Sequence, residues 1–446
     1  MPFLTLPSDD SQLRYADDPI VLHYLVSTPE CRTFAAAQTH ASKLAASLSS
    51  SSNLAASDSK REVKLDARYP IVLFLPSECF SVAHLFADQL SDSTLSAHFN
   101  LVAVDPRGHG LTREVPIRDP STRKYDLDIK AADVLAFIRL LLSPYQPANG
   151  KEGEIRWAKG IHILACSMSG LVAARMAAQW PDTFTSIMIT SPILELESPF
   201  MVESFQGIKE LLTESWHQQH SQRSNDVRLP GEVVQGFTFR WAGSETIPAH
   251  IASYLSRTWL ERLVLHHQGL EAARDWWFDL YWLRKPMPES ARCAVRCDLL
   301  VVEGDRDLPY DRNVADDIAA LFPNARLVHV HKVPRAPFLL SVKRPSQLTD
   351  ALCSFLGVQP DTSAYSEDAS MDALMALEED ERFELVKVYA PQLVPDSDSD
   401  ADSDDDQDEE QAESDTDPEE AFDSHHPLRT KRAGPLHADR VHAQHT

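Results

Sequence analysis

The run Ile161-His162-Ile163-Leu164-Ala165-Cys166-Ser167-Met168-Ser169-Gly170 is apolar until it closes on a serine with a small residue two positions to either side. A buried strand that turns abruptly into a helix strains its apex residue, and the residues two before and two after must be small for the two backbones to pass. The spacing therefore predicts a nucleophile elbow with Ser167 at its apex. Glycine is usual at the flanking places, which here hold Ala165 and Ser169. Residues 171–178 are rich in good helix formers and predict a helix whose positive end faces the apex. Taken alone, Ala-x-Ser-x-Ser also fits a buried strand that carries a serine by chance.

Other segments follow in a consistent order. A strand near 21–26 comes first, and 70–75 is a second apolar run. Residues 99–104 are a further strand entering the loop Asp105-Pro106-Arg107-Gly108-His109-Gly110, and 131–142 has helical apolar spacing. Beyond the elbow, 186–190 reads as a buried strand, and 298–304 as another that ends in Gly304-Asp305-Arg306-Asp307. Short β-branched runs alternating with helical segments predict an α/β fold, a mostly parallel sheet covered on both faces. Active residues then belong at the carboxyl ends of its strands.

The Asp105 to Gly110 loop, the elbow at Ser167, Gln179-Trp180-Pro181 closing the elbow helix, and Gly304-x-x-Asp307 occur in the order found in a known family. Over about residues 69–357 the chain resembles the α/β-hydrolase fold family, in the branch whose loop after the fourth strand reads Asp-x-Arg-Gly-x-Gly. The resemblance implies a serine, acid, histidine triad in chain order, with Ser167 as nucleophile and Asp307 as the acid that orients an imidazole. It also implies a helical cap inserted after the sixth strand.

The histidine is where this chain departs from that pattern. The family places it after the last strand, ahead of an apolar run ending in proline. Counting back from Pro345 puts Phe338 there, and Phe cannot accept a proton. His329 and His331 fall in the preceding strand. His331 is the nearer substitute base, yet seven residues separate it from Phe338, about 23 Å if extended at roughly 3.3 Å each. Proton transfer needs about 2.6–3.2 Å between heavy atoms. His109 belongs to the glycine loop and reads as structural; His266 and His267 fall in the cap.

The oxyanion loop departs as well. Where the family carries His-Gly, this chain has Pro76-Ser77-Glu78-Cys79. Pro76 has no N–H, and Glu78 brings negative charge toward a site that must stabilise an oxyanion. The donors left are the backbone N–H of Met168, joined by Ser77 or Glu78. Losing one donor costs about 2.7–4 kcal/mol of transition-state stabilisation, and losing the base impairs serine activation further.

At 446 residues the chain exceeds one core of this kind, and the excess is visible. Residues 1–68 are an N-terminal arm, with a flexible Ala/Ser-rich insert at 35–60. The core is predicted at 69–194 and 293–358, and the cap at 195–292. Aromatic residues near Trp276, Trp277, Phe278, Tyr281 and Trp282 either line an apolar ligand site or pack the cap onto the core. An extension with a possible helix follows at 359–394. The tail, 395–446, is predicted disordered: sixteen Asp and Glu between Asp396 and Asp423, with no Lys or Arg, supply most of the excess behind the net charge of −25. It reads as a solubilising tail, or as an arm for a basic protein partner, with Ser397, Ser399 and Ser403 as acid-flanked phosphorylation sites.

The N-terminus has neither a basic region nor a long apolar stretch, and no run reaches the ~20 apolar residues of a spanning helix. With six scattered cysteines, Cys166 beside the elbow among them, the expectation is a cytoplasmic location. Cys293 and Cys297 lack further ligands at metal spacing, and no glycine-rich phosphate loop is present, so no metal or cofactor is expected. An acidic chain is a poor nucleic-acid binder. Two function classes remain. One is a serine hydrolase acting on an ester or similar acyl substrate. The other is a pseudoenzyme that binds a small apolar or acyl ligand, or a protein partner, without turnover.

Overall fold

The computed structural model describes residues 3–6, 20–30, 64–77, 80–110, 112–114, 126–146, 156–221, 235–236, 241–243, 247, 251, 284–306, 309–310 and 313–359. Among them a nine-stranded sheet is formed by β1 (Phe3–Leu6), β2 (Ile20–Ser27), β3 (Ile71–Leu75), β4 (Asn100–Val104), β5 (Arg113–Glu114), β6 (Ile161–Cys166), β7 (Ser186–Thr190), β8 (Asp298–Gly304) and β9 (Val328–Val333). The order across it is β1-β2-β4-β3-β6-β7-β8-β9, with β5 paired to β2. All pairings from β4 to β9 are parallel, whereas β2 is antiparallel to β1, β4 and β5. The central strands β3, β4 and β7 are buried at every position, which explains why they read as continuous apolar runs rather than alternating ones.

The helices are α1 (Val82–Ser91), α2 (Ser93–His98), α3 (Leu127–Leu142), α4 (Met168–Gln179), α5 (Pro199–Ser221), α6 (Glu289–Arg292), α7 (Val314–Ala320), α8 (Leu340–Lys343) and α9 (Pro345–Leu356). Their starts follow from capping side chains: Ser81 accepts from the His84 N–H, Asp92 from Leu95 and Asp126 from Ile129. Helix α9 opens on Pro345 and ends at Gly357, whose φ of 74° no β-carbon favours. Helices α1, α8 and α9 pack as one group, and α3, α4 and α6 as another.

This sheet order places the site. The chain leaves β3 toward β4 on one side, then crosses over so that β6 leads to β7 on the other. Neighbouring connections that diverge open a crevice at the carboxyl ends of the two strands. By that rule the candidate site belongs between β3 and β6, where Ser77 and Ser167 follow their strands.

Strands β1 and β5 carry no readable pattern of their own, being four and two residues long. Both exist through pairing with β2, a tertiary contact. Between β7 and β8 runs the long insertion that contains α5. Its two roots are held by charge pairs, the first buried and the second partly so: Arg284 donates to Glu197 Oε2 at 2.8 Å and to the Leu194 carbonyl at 2.8 Å, and Arg292 to Glu195 Oε2 at 2.6 Å. Tyr310 reaches the same Glu197 oxygen at 3.2 Å. The aromatic residues 276–282, His266, His267, the insert at 35–60 and everything from 360 on lie outside the described residues.

Candidate functional site

Ser167 has φ 55° and ψ −122°, a backbone conformation that costs a non-glycine residue about 1–3 kcal/mol. Its N–H donates to the Thr190 carbonyl at 2.9 Å and its own carbonyl accepts from Gly170 at 2.9 Å, so neighbouring strand and helix hold the strain in place. The serine is the N-cap of α4, whose first N–H groups belong to Met168 and Ser169. The small residues have separate uses. Ala165 lets the strand pass, and the Ser169 hydroxyl donates to the Pro76 carbonyl at 2.5 Å, stitching the elbow helix to the loop after β3. Serine therefore does at this position what glycine cannot.

On the other side of β3, the glycine loop is built around buried Asp105. Its carboxylate accepts from His23 Nδ1 at 2.6 Å and from the Val82 N–H, the first of α1, at 2.7 Å. Gly110, at φ 48°, passes so close that an added β-carbon would lie 1.9 Å from Asp105 Oδ2. Arg107 turns inward to a buried ion pair with Asp133 of α3, Nε to Oδ2 at 2.7 Å and Nη2 to Oδ1 at 3.1 Å. His109 Nδ1 bonds the Arg107 carbonyl at 3.0 Å, a contact internal to the loop.

Ser77 follows β3 and is fully buried; its hydroxyl has no hydrogen-bond partner among the described residues, and the same holds for Thr190 Oγ1 at the end of β7. Ser77 lies two residues beyond β3 and Thr190 ends β7, the two strands that flank β6. A buried polar atom without a partner costs about 1–3 kcal/mol. Glu78 lies outside the described residues.

Phe338 is buried, at 2 % exposure. The turn that carries it is pinned from three sides. Ser191, itself at φ 52°, donates its hydroxyl to the Phe338 carbonyl at 2.6 Å, and Arg306 donates its N–H to the Ala336 carbonyl at 3.1 Å. Gly304 lies against the turn so tightly that a β-carbon there would stand 2.2 Å from the Ala336 oxygen. From the insertion, Trp241 accepts the Leu339 N–H at 2.8 Å and packs its ring 4.9 Å from that of Phe80. Trp241 thus links the segments that follow β3 and β9.

His331 is exposed on β9. Through Val302 and Thr190 it is in register with Cys166, the residue before Ser167. Three strand spacings of about 4.8 Å put it about 14 Å away across the sheet. Ser167 and Met168 follow β6 and Ser77 follows the adjacent strand β3, all three buried beyond the carboxyl ends of the strands, whereas His331 lies at the sheet edge. Asp307 lies outside the described residues, although β8 delivers the chain to Gly304, three positions earlier.

Burial perturbs two groups on the strands. Glu303 on β8 has its carboxyl pushed up to about 7 by burial, against the opposing pull of the Ala315 N–H and Lys332. The raised value means the fold prefers the neutral acid. Its contribution is therefore whole below about pH 4.5 and is lost as pH rises toward 7. His162 is driven down to about 4 by burial, so it works in the opposite sense, losing stability as pH falls below its ordinary 6.5. Glu303→Gln is expected to gain about 1–3 kcal/mol on wild type at pH 8 and little at pH 4.5. Urea unfolding at the two pH values reads that difference, and an equal effect at both would refute it.

Sequence reasoning missed His23, Ser191, Trp241 and the Glu195, Glu197, Arg284, Arg292 anchors. Each partner pair is separated by about 80 residues or more along the chain, so no local spacing signals it.

The sequence matches the family described as "Alpha/beta hydrolase family" over residues 72–339, more than half of the chain. This protein belongs to the alpha/beta hydrolase family. Similar solved structures include a thermophilic esterase from Thermogutta terrifontis, malate bound (15% identity, 80% of this chain and 98% of that one, TM-score 0.48). Others are the enol-lactonase of Burkholderia xenovorans LB400 (15%, 80% and 100%, 0.47) and the proline iminopeptidase of Mycobacterium smegmatis (13%, 80% and 98%, 0.45). No functionally curated protein matches the sequence. Among the described residues no helix is long and apolar enough to cross a membrane.

Proposed function

We propose that this chain is a catalytically impaired hydrolase-fold protein, one that binds a small apolar or acyl ligand at the Ser167 crevice without efficient turnover. What supports the reading is Phe338, a buried aromatic at the position where the resemblance implies the family's histidine. Without an imidazole there, the hydroxyl of Ser167 has no general base in this loop, and the serine stays a poor nucleophile. The buried hydroxyls of Ser77 and Thr190, unpartnered among the described residues, support a ligand with a polar group.

One observation favours the alternative, an active serine hydrolase acting on an ester or similar acyl substrate through Ser167, Asp307 and the Met168 N–H. The strained backbone of Ser167 is retained, and strain of this kind is at home in catalysis. Labelling of the full chain by a fluorophosphonate probe separates the two. Under the impaired reading wild type labels no faster than Ser167→Ala. Rapid labelling that Ser167→Ala abolishes overturns it, and a parallel loss in His331→Ala would then assign His331 as the base.

A further inference from the structure

Two imidazoles stand on one strand, away from Ser167. His329 and His331 lie on β9, the last strand of the sheet path, in register with Leu300 and Val302 of β8. Residues two apart on a strand project from one face, about 7 Å apart along it. Both histidines are exposed. Lys332 projects from the other face, where its ammonium bonds Asn313 and stands 3.9 Å from Asp316 of α7. Its positive charge therefore lies on the far side of the strand from the imidazoles.

We infer that His329 and His331 form a two-imidazole chelate for a divalent transition metal ion of the zinc and copper class. Each neutral imidazole offers one ring nitrogen lone pair, and a metal–nitrogen bond of about 2.0–2.1 Å lets two rings close on one ion across a two-residue spacing. The paired backbone of β9 fixes the two α-carbons on one strand, so only side-chain rotation is left to be ordered on binding. Their register partners, Leu300 and Val302, are apolar and supply no competing ligand. The chelate as inferred uses these two protein ligands, which leaves the remaining coordination positions to water. Imidazole nitrogen excludes magnesium and calcium as the preferred ions and ranks Cu2+ above Zn2+. This inference is independent of whether Ser167 is active.

The chain has 18 histidines, so the test must read single positions. Full-length protein stripped by a chelator is titrated with Zn2+ alone, modified with diethyl pyrocarbonate, and mapped peptide by peptide by mass spectrometry. His329 and His331 are expected to become protected together, with one midpoint, and at lower concentration for Cu2+ than for Zn2+. His331→Gln is expected to raise the midpoint at His329 about a hundredfold, the loss incurred when a second, intramolecular contact is removed; His329→Gln does the same to His331. Both positions are exposed, and unchanged melting of the variants confirms an intact fold. A midpoint at one histidine that ignores loss of the other overturns the chelate, as does the absence of protection below millimolar Zn2+.

Discussion

Phe338→His is expected to raise the rate of fluorophosphonate labelling at Ser167 by about 10²–10⁴-fold, the range a positioned general base contributes. The backbone at this position is already held: Ser191 bonds the Phe338 carbonyl and Gly304 packs against the turn. The substitution therefore changes the side chain and not the loop. The gain should vanish in Phe338→His/Ser167→Ala and should grow as pH rises through the ordinary imidazole range near 6.5. With Asp307 as the acid that the resemblance implies, Asp307→Asn in the same background should remove most of it, because an imidazole without an acid partner presents the wrong nitrogen. A variant that folds and labels no faster than wild type would mean that a missing base is not what limits this serine.

The second large effect is on stability. Asp133→Ala is expected to cost about 3–5 kcal/mol, since it removes the carboxylate from a buried guanidinium. Arg107 and Asp133 are each 3 % exposed at their side chains and joined by two hydrogen bonds, so water cannot replace the lost partner without opening the loop onto α3. Replacing both, Arg107→Met/Asp133→Leu, is expected to recover most of the loss, because buried ion pairs are often no more stabilising than well-packed apolar residues of similar volume. Urea unfolding of the single and double variants decides the matter. If the double variant is as unstable as the single one, the pair is not what holds the loop.

Much of this architecture was legible beforehand, for reasons that differ by element. The central strands announced themselves because burial on both faces demands uninterrupted apolar runs, as at β3, β4 and β7. The elbow was legible because a strained apex permits only small neighbours, and the structure puts Ser167 at φ 55°. Chain distance alone makes His331 the nearer substitute base. The sheet adds the lateral distance, three strands from Cys166, which no count along the chain contains. Ser169 looked like a departure from glycine, and its bond to the Pro76 carbonyl is visible only once β3 and β6 are neighbours.

The sequence by itself determined the succession of the central strands along the chain, the elbow, the glycine loop and the aromatic at position 338, because each is a local requirement on side-chain size, polarity or backbone freedom. Only the tertiary structure decided which distant residues meet. The His23 bond to Asp105, the Ser191 bond to the Phe338 carbonyl, the Trp241 link between two loops and the exposure of His329 and His331 all depend on strand order. Strand order is set by how the whole chain buries its apolar faces, and no window of sequence contains that information.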